Sequence, residues 1–122
     1  KLGFEIRSTE GATSWAMACS LSGFYPPFHI EGFLPKDNAQ RLARLGRLSS
    51  LKSHIVLMDT PYRFQLLFDQ ALRFFGNRQS FLAWEISKQE EQLLWGTLFQ
   101  LDEKSRCLGL KKGEFILIVG VK

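Results

Sequence analysis

The sequence predicts an α/β domain, a sheet of about five strands packed with helices, and three stretches carry that expectation. His54 to Met58 is a short apolar run with β-branched members that Asp59-Thr60-Pro61 stops; Phe64, Leu67, Phe68, Ala71, Leu72 and Phe75 then recur on one helical face. Phe28 to Leu34 alternates, ends at Pro35, and gives way to a helix capped at Asp37 or Asn38. Gly113 to Val121 is apolar on both faces, as a strand at the centre of a sheet must be.

The 122 residues are 45% hydrophobic and include 11 Phe and 3 Trp, enough for one domain with a core of its own. A net charge of +4 and 23% charged residues cover a soluble surface and permit an anionic partner without requiring one. The 2 cysteines, Cys19 and Cys107, are far apart, with no metal-type spacing and no secretory segment, so they read as reduced thiols of a cytoplasmic protein without a metal site. No apolar run approaches the roughly 20 residues of a membrane helix. The chain starts at Lys1 rather than Met, and the expectation is a piece of a longer protein.

From the amino end, Leu2 to Arg7 alternates weakly and reads as an edge strand. Glu10-Gly11-Ala12-Thr13-Ser14 turns into Trp15 to Leu21, which is apolar nearly all round and so reads as a buried helix closing at Ser22-Gly23. Its small residues either pack against a sheet or let a ligand approach the backbone. Ala16 and Ala18 suit the first role, and Thr13 and Ser14, in the turn, the second.

Beyond Asp37, Arg41, Arg44 and Arg47 repeat at i+3 spacing on a face apart from Leu42, Leu45 and Leu48. Such a ridge is a solvated face or a phosphate contact, and arginines without interleaved glutamate lean toward phosphate. After the central strand, Thr60 is a good N-cap and Pro61 sits where a missing N–H costs nothing. Asp59, Tyr62 and Arg63 then stand beside the free N–H groups of a helix start, in the crevice where α/β sheets bind ligands. The competing role for Asp59 and Arg63 is to favour the helix dipole and pair at the surface.

Gly76-Asn77 stops this helix, and Ser80 to Ile86 is the next strand. Leu93 to Leu101 reads as a further strand carrying Gly96-Thr97-Leu98, where a flat ligand could lie on bare backbone or the glycine could mark a β-bulge. Asp102 to Lys112 reads as a charged connector.

Taken together, EGFLP at Glu31 to Pro35, the arginine-rich helix, DTPYR at Asp59 to Arg63, AWEISKQEE at Ala83 to Glu91, WGTL at Trp95 to Leu98 and KGEFILIV at Lys112 to Val119 resemble the tetrapyrrole methylase family. The resemblance is strongest to the branch that 2′-O-methylates a cytidine of small-subunit ribosomal RNA. It implies a mixed sheet, with residues 10–122 forming the C-terminal domain of a two-domain, homodimeric methyltransferase dependent on S-adenosylmethionine, and residues 1–9 a residue of the preceding domain or linker. The cofactor would lie between the halves, in a cleft that an N-terminal domain completes. Carried over position by position, the cofactor contacts fall on Thr13, Ser14, Met58, Asp59 and Ala83, with Gly96, Thr97 and Leu98 close by; Arg41, Arg44, Arg47, Tyr62 and Arg63 would meet RNA. Glu10 stands where the family usually has proline, Asp59-Thr60 where it has Glu-Ser, and Tyr62 where it has His.

The implied reaction is methyl transfer to a ribose 2′-hydroxyl, which needs chiefly alignment because the leaving group is neutral. Asp59, Glu85 and His54 are the local candidates for a base, and none is singled out. A corrin or porphyrin precursor is the alternative acceptor. A basic RNA-binding or dimerisation module without catalysis is the reading from another class. Topology adds one expectation: Thr13, Ser14, Met58, Asp59, Ala83 and Thr97 should converge on one edge of the sheet.

Overall fold

The computed structural model describes residues 4–6, 12–86 and 88–122, with side chains from Trp15 onward. The described residues form six strands, β1 (Phe4–Ile6), β2 (Phe28–Phe33), β3 (His54–Met58), β4 (Gln79–Trp84), β5 (Gln92–Thr97) and β6 (Phe115–Val119). The helices are α1 (Ala12–Ser22), α2 (Asn38–Leu48), α3 (Phe64–Phe75) and α4 (Leu98–Cys107), with a 3-10 turn at Pro61–Arg63. The strands lie in the order β1-β2-β3-β6-β4-β5, β1, β2 and β3 parallel and the remaining neighbours antiparallel. The sheet is mixed, as expected, and β1 adds the weakly alternating edge as a sixth strand.

The two central strands, β3 and β6, carry the core. Every residue of β6 is buried, and alternation along β3 sends Ile55 and Leu57 to one face and Val56 and Met58 to the other. The first face packs α2, α3 and α4, with Phe64 fully buried edge-on to Phe68, Trp84 and Phe115. Only α1 among the described helices packs on the second face, through Trp15, Ala18 and Cys19. Its other side leaves Met17 and Leu21 partly exposed, so α1 is not the buried helix its composition indicated. A second correction concerns the connector from Asp102: β5 ends at Thr97 and a helix, α4, begins at Leu98. Thr97 caps it, its hydroxyl accepting from the Gln100 N–H while the Gln100 side-chain oxygen accepts from the Thr97 N–H. At the central helix the expected cap is also different: the Thr60 hydroxyl makes no cap bond, and the Thr60 N–H donates to Asp59 Oδ1 at 2.8 Å instead.

Gly120 closes the carboxyl end of β6 against β4. Its N–H donates to the Gln79 carbonyl at 2.8 Å, and a Cβ there would stand 2.3 Å from that same oxygen. The bond and the methyl cannot coexist, so Gly120→Ala should cost about 1–3 kcal/mol in urea unfolding, at unchanged m. An alanine variant as stable as the parent would show that the strand end yields freely.

Candidate functional site

The strand directions define two edges of the sheet. Phe33 pairs with Met58, Met58 with Ile116 and Trp84 with Phe115, so β2, β3 and β4 end, and β6 begins, along one edge. His54, Gln79, Val119 and Thr97 mark the opposite edge. A cavity of about 210 Å³ opens at the first, walled by Phe33, Met58, Ala83 and Ile116 and bordered by Asp59 and Glu114. Three of the predicted cofactor positions, Met58, Asp59 and Ala83, thus line one depression although they come from separate strands and a turn.

Local chemistry shapes its walls. In β2 the register shifts between Ile30 and Gly32, and Gly32 takes a φ of 79°, a conformation a side chain would oppose. The bulge leaves Glu31 buried, paired with Arg44 and, at 2.8 Å, with His29 Nε2, while Phe33 is 44% exposed at the cavity. At the end of β3, the Asp59 carboxylate accepts from Arg41 Nη1 at 2.5 Å and, more loosely, from Arg63 Nη1 at 3.4 Å. Arg41 is itself only 1% exposed; it donates to Gln70 Oε1 at 2.7 Å and to the Pro35 carbonyl at 3.4 Å. One buried guanidinium therefore ties the end of β2, the end of β3 and α3 together beneath the cavity, and Asp59 borders it as one half of an ion pair.

The arginine ridge does not form. Arg41 shares the buried face of α2 with Leu45 and Leu48, at i, i+4 and i+7, Arg44 is held by Glu31, and only Arg47 faces solvent. Gly96, Thr97 and Leu98 are also misplaced by the sequence reading: they lie at the opposite edge, where Thr97 caps α4 and Leu98 is wholly buried. The expected convergence therefore loses Thr97. His54 belongs to that far edge too. Its Nε2 donates to the Tyr25 carbonyl at 2.9 Å and its Nδ1 accepts from the Val121 N–H at 3.0 Å, a neutral ring whose pKa burial pushes below the ordinary histidine value. It is a strand-end fastener, away from the cavity.

The turn at Glu10-Gly11 and the side chains of Thr13 and Ser14 lie outside the described residues. The backbone of α1 can still be oriented. Its last residue, Ser22, accepts from Trp95 Nε1 at 3.1 Å, and Phe24 just beyond stacks on His54 with ring centroids 4.7 Å apart. The helix thus ends near the far edge, and 11 residues, about 16 Å of helix, carry its start back toward the cavity edge.

Tyr62 and Arg63 stand on the 3-10 turn beside Asp59. Arg63 is half-buried on the Asp59 carboxylate, whereas Tyr62 is 78% exposed with Lys112 Nζ 4.3 Å from its ring centroid. Phe33, Ile116 and Lys112 were not among the predicted site residues. Their signal was present, since Phe33 belongs to EGFLP and the other two to KGEFILIV. At Glu85 the backbone turns with a φ of 51°, and the carboxylate accepts from the Glu114 N–H, bracing the far wall.

No family model matches the chain. It is 30% identical over 115 residues, 93% of its length, to a ribosomal RNA small subunit methyltransferase I of Micromonospora olivasterospora. To the same-named protein of Halalkalibacterium halodurans it is 32% identical over 120 residues, 98% of its length. The chain spans about two fifths of these relatives, 37% and 41% of their lengths. Among solved structures, the X-ray structure of a cobalt precorrin-4 methyltransferase superposes with a TM-score of 0.63 at 16% identity, covering 88% of this chain and 48% of that one, which shows a common fold. The sequence comparison bears out the motif-based resemblance to the ribosomal RNA methyltransferase branch, and the structural comparison bears out the fold.

Proposed function

We propose that this chain, similar along nearly its whole length to ribosomal RNA small subunit methyltransferases I, is the C-terminal half, residues 10–122, of an S-adenosylmethionine-dependent enzyme that methylates small-subunit ribosomal RNA at a ribose 2′-hydroxyl. The observation that carries this reading is the sequence similarity, at 30% and 32% over 93% and 98% of the chain. The cavity supports it. Apolar walls at Met58, Ala83 and Ile116 suit the flat, weakly polar faces of a nucleoside, and Arg41 and Arg63 neutralise the one carboxylate at the end of β3. At about 210 Å³ the cavity is smaller than the ~300–1,000 Å³ of complete small-molecule sites, in keeping with one wall of a cleft shared with an N-terminal domain.

When bound, S-adenosylmethionine would supply an activated methyl on a sulfonium whose departure leaves a neutral thioether. The residues of this chain hold the ligand and exclude water: Met58, Ala83 and Ile116 form a dry floor, and the Arg41–Asp59 pair a rigid rim. No group here is assigned as a base. The intact enzyme is read as a cytoplasmic homodimer.

Incubating the full-length protein that carries this chain with small-subunit ribosomal RNA and tritiated S-adenosylmethionine tests the proposal. Label on a ribose oxygen is the expected product. Label on a corrin precursor and none on RNA would transfer the assignment to the other acceptor, and label on neither would leave a binding module.

A further inference from the structure

The rim of the cavity carries a feature that methyl-donor binding does not explain. Tyr62, one residue beyond the cavity-lining Pro61, is 78% exposed although it is a large aromatic, and among the described residues its ring meets one cation, Lys112 Nζ, 4.3 Å from the centroid. Phe33, 44% exposed, lines the same opening. The loops that meet at this edge add Lys36 and Lys111, both exposed, beside Lys112. Of the carboxylates on these loops, Asp59 is held by Arg41 and Arg63, Asp37 by the α2 cap and Glu114 by Lys88, while Glu90 is exposed.

We infer that Tyr62 and Lys112 form a stacking platform for an unpaired base of single-stranded RNA, delivering its nucleotide to the cavity. The inference rests on the proposed RNA methyltransferase reading and names residues for the acceptor side. An ammonium against one ring face holds the phenol in place, so less rotamer freedom remains to be lost when a base covers the other. Every base has a π-face, which makes the platform tolerant of sequence but intolerant of duplex, whose bases are already stacked. The lysines supply the backbone contacts that flank such a stack.

The test is fluorescence anisotropy of a labelled ten-nucleotide oligouridine with this chain and no cofactor. Tyr62→Ala is expected to weaken binding roughly 5- to 150-fold, the range for one lost aromatic–base stack, while Tyr62→Phe stays near the parent. Lys111→Gln should lower the slope of log K against log salt by about 0.7. Lys52→Gln, exposed at the opposite edge and more than a Debye length of about 8 Å away, should change neither. Tyr62 is exposed enough that none of these variants threatens the fold. Parent-like affinity of Tyr62→Ala, equal binding of a duplex, or no oligouridine binding at all would overturn the platform. Tyr62-dependent binding without methyl transfer by the full-length protein would sink the enzymatic reading alone, and methyl transfer with an unchanged RNA KM in Tyr62→Ala would sink the platform alone.

Discussion

Arg41→Ala should remove about 3–5 kcal/mol of stability, a large share of the 5–15 kcal/mol that holds an ordinary domain together. The cause is the carboxylate left behind. Asp59 is 4% exposed and accepts a 2.5 Å bond from Arg41, whereas Arg63 reaches it only at 3.4 Å from a half-exposed position. Gln70 and the Pro35 carbonyl would lose their donor as well. Thermal unfolding should show a midpoint lowered by roughly 10–20 °C. Adding Asp59→Asn to the same chain should recover part of the loss, because the uncompensated charge is then gone. Arg47→Ala, six residues further along the same helix and exposed, should stay within about 0.5 kcal/mol of the parent. Equal effects at Arg41 and Arg47 would mean that the buried pair does not carry the strand ends as described.

The same pair shows where sequence reading stops. His54 to Met58, the Thr60-Pro61 start and the face from Phe64 to Phe75 were legible because each is a local signal: a β-branched run, a helix start and a 3.6-residue period. Strand β6 was legible because only a doubly covered strand is apolar throughout. Arg41 was not, because its partners Asp59 and Gln70 lie 18 and 29 residues away and nothing in the i+3 spacing distinguishes a buried arginine from a solvated one. Helix α4 was missed for want of a continuous apolar stripe, with only Leu98, Leu101 and Ser105 buried, although Thr97 and Gln100 already spelled a capping box. Gly96-Thr97-Leu98 went to the wrong edge because β5 runs antiparallel to β4, a choice of direction that pairing makes and composition does not. Met58, Asp59 and Ala83 came out together because all three stand at the edge where β3 and β4, parallel to each other, end.

The second large effect concerns the donor. If this chain offers one wall of a shared cleft, the ligand buries far less here than the 70–90% usual for a complete site. A loss of about 4 kcal/mol of contact is roughly a thousandfold in affinity, which turns a micromolar site into a millimolar one. The fold itself should persist, since its core is built from β2, β3, β4 and β6 with α1, α2, α3 and α4 and needs no outside element. Equilibrium dialysis of tritiated S-adenosylmethionine against the 122-residue chain and against the full-length protein measures this directly. The split-cleft account predicts micromolar binding by the full-length protein and binding about a thousandfold weaker by the chain alone; micromolar binding by the chain alone, or none by either, would contradict it.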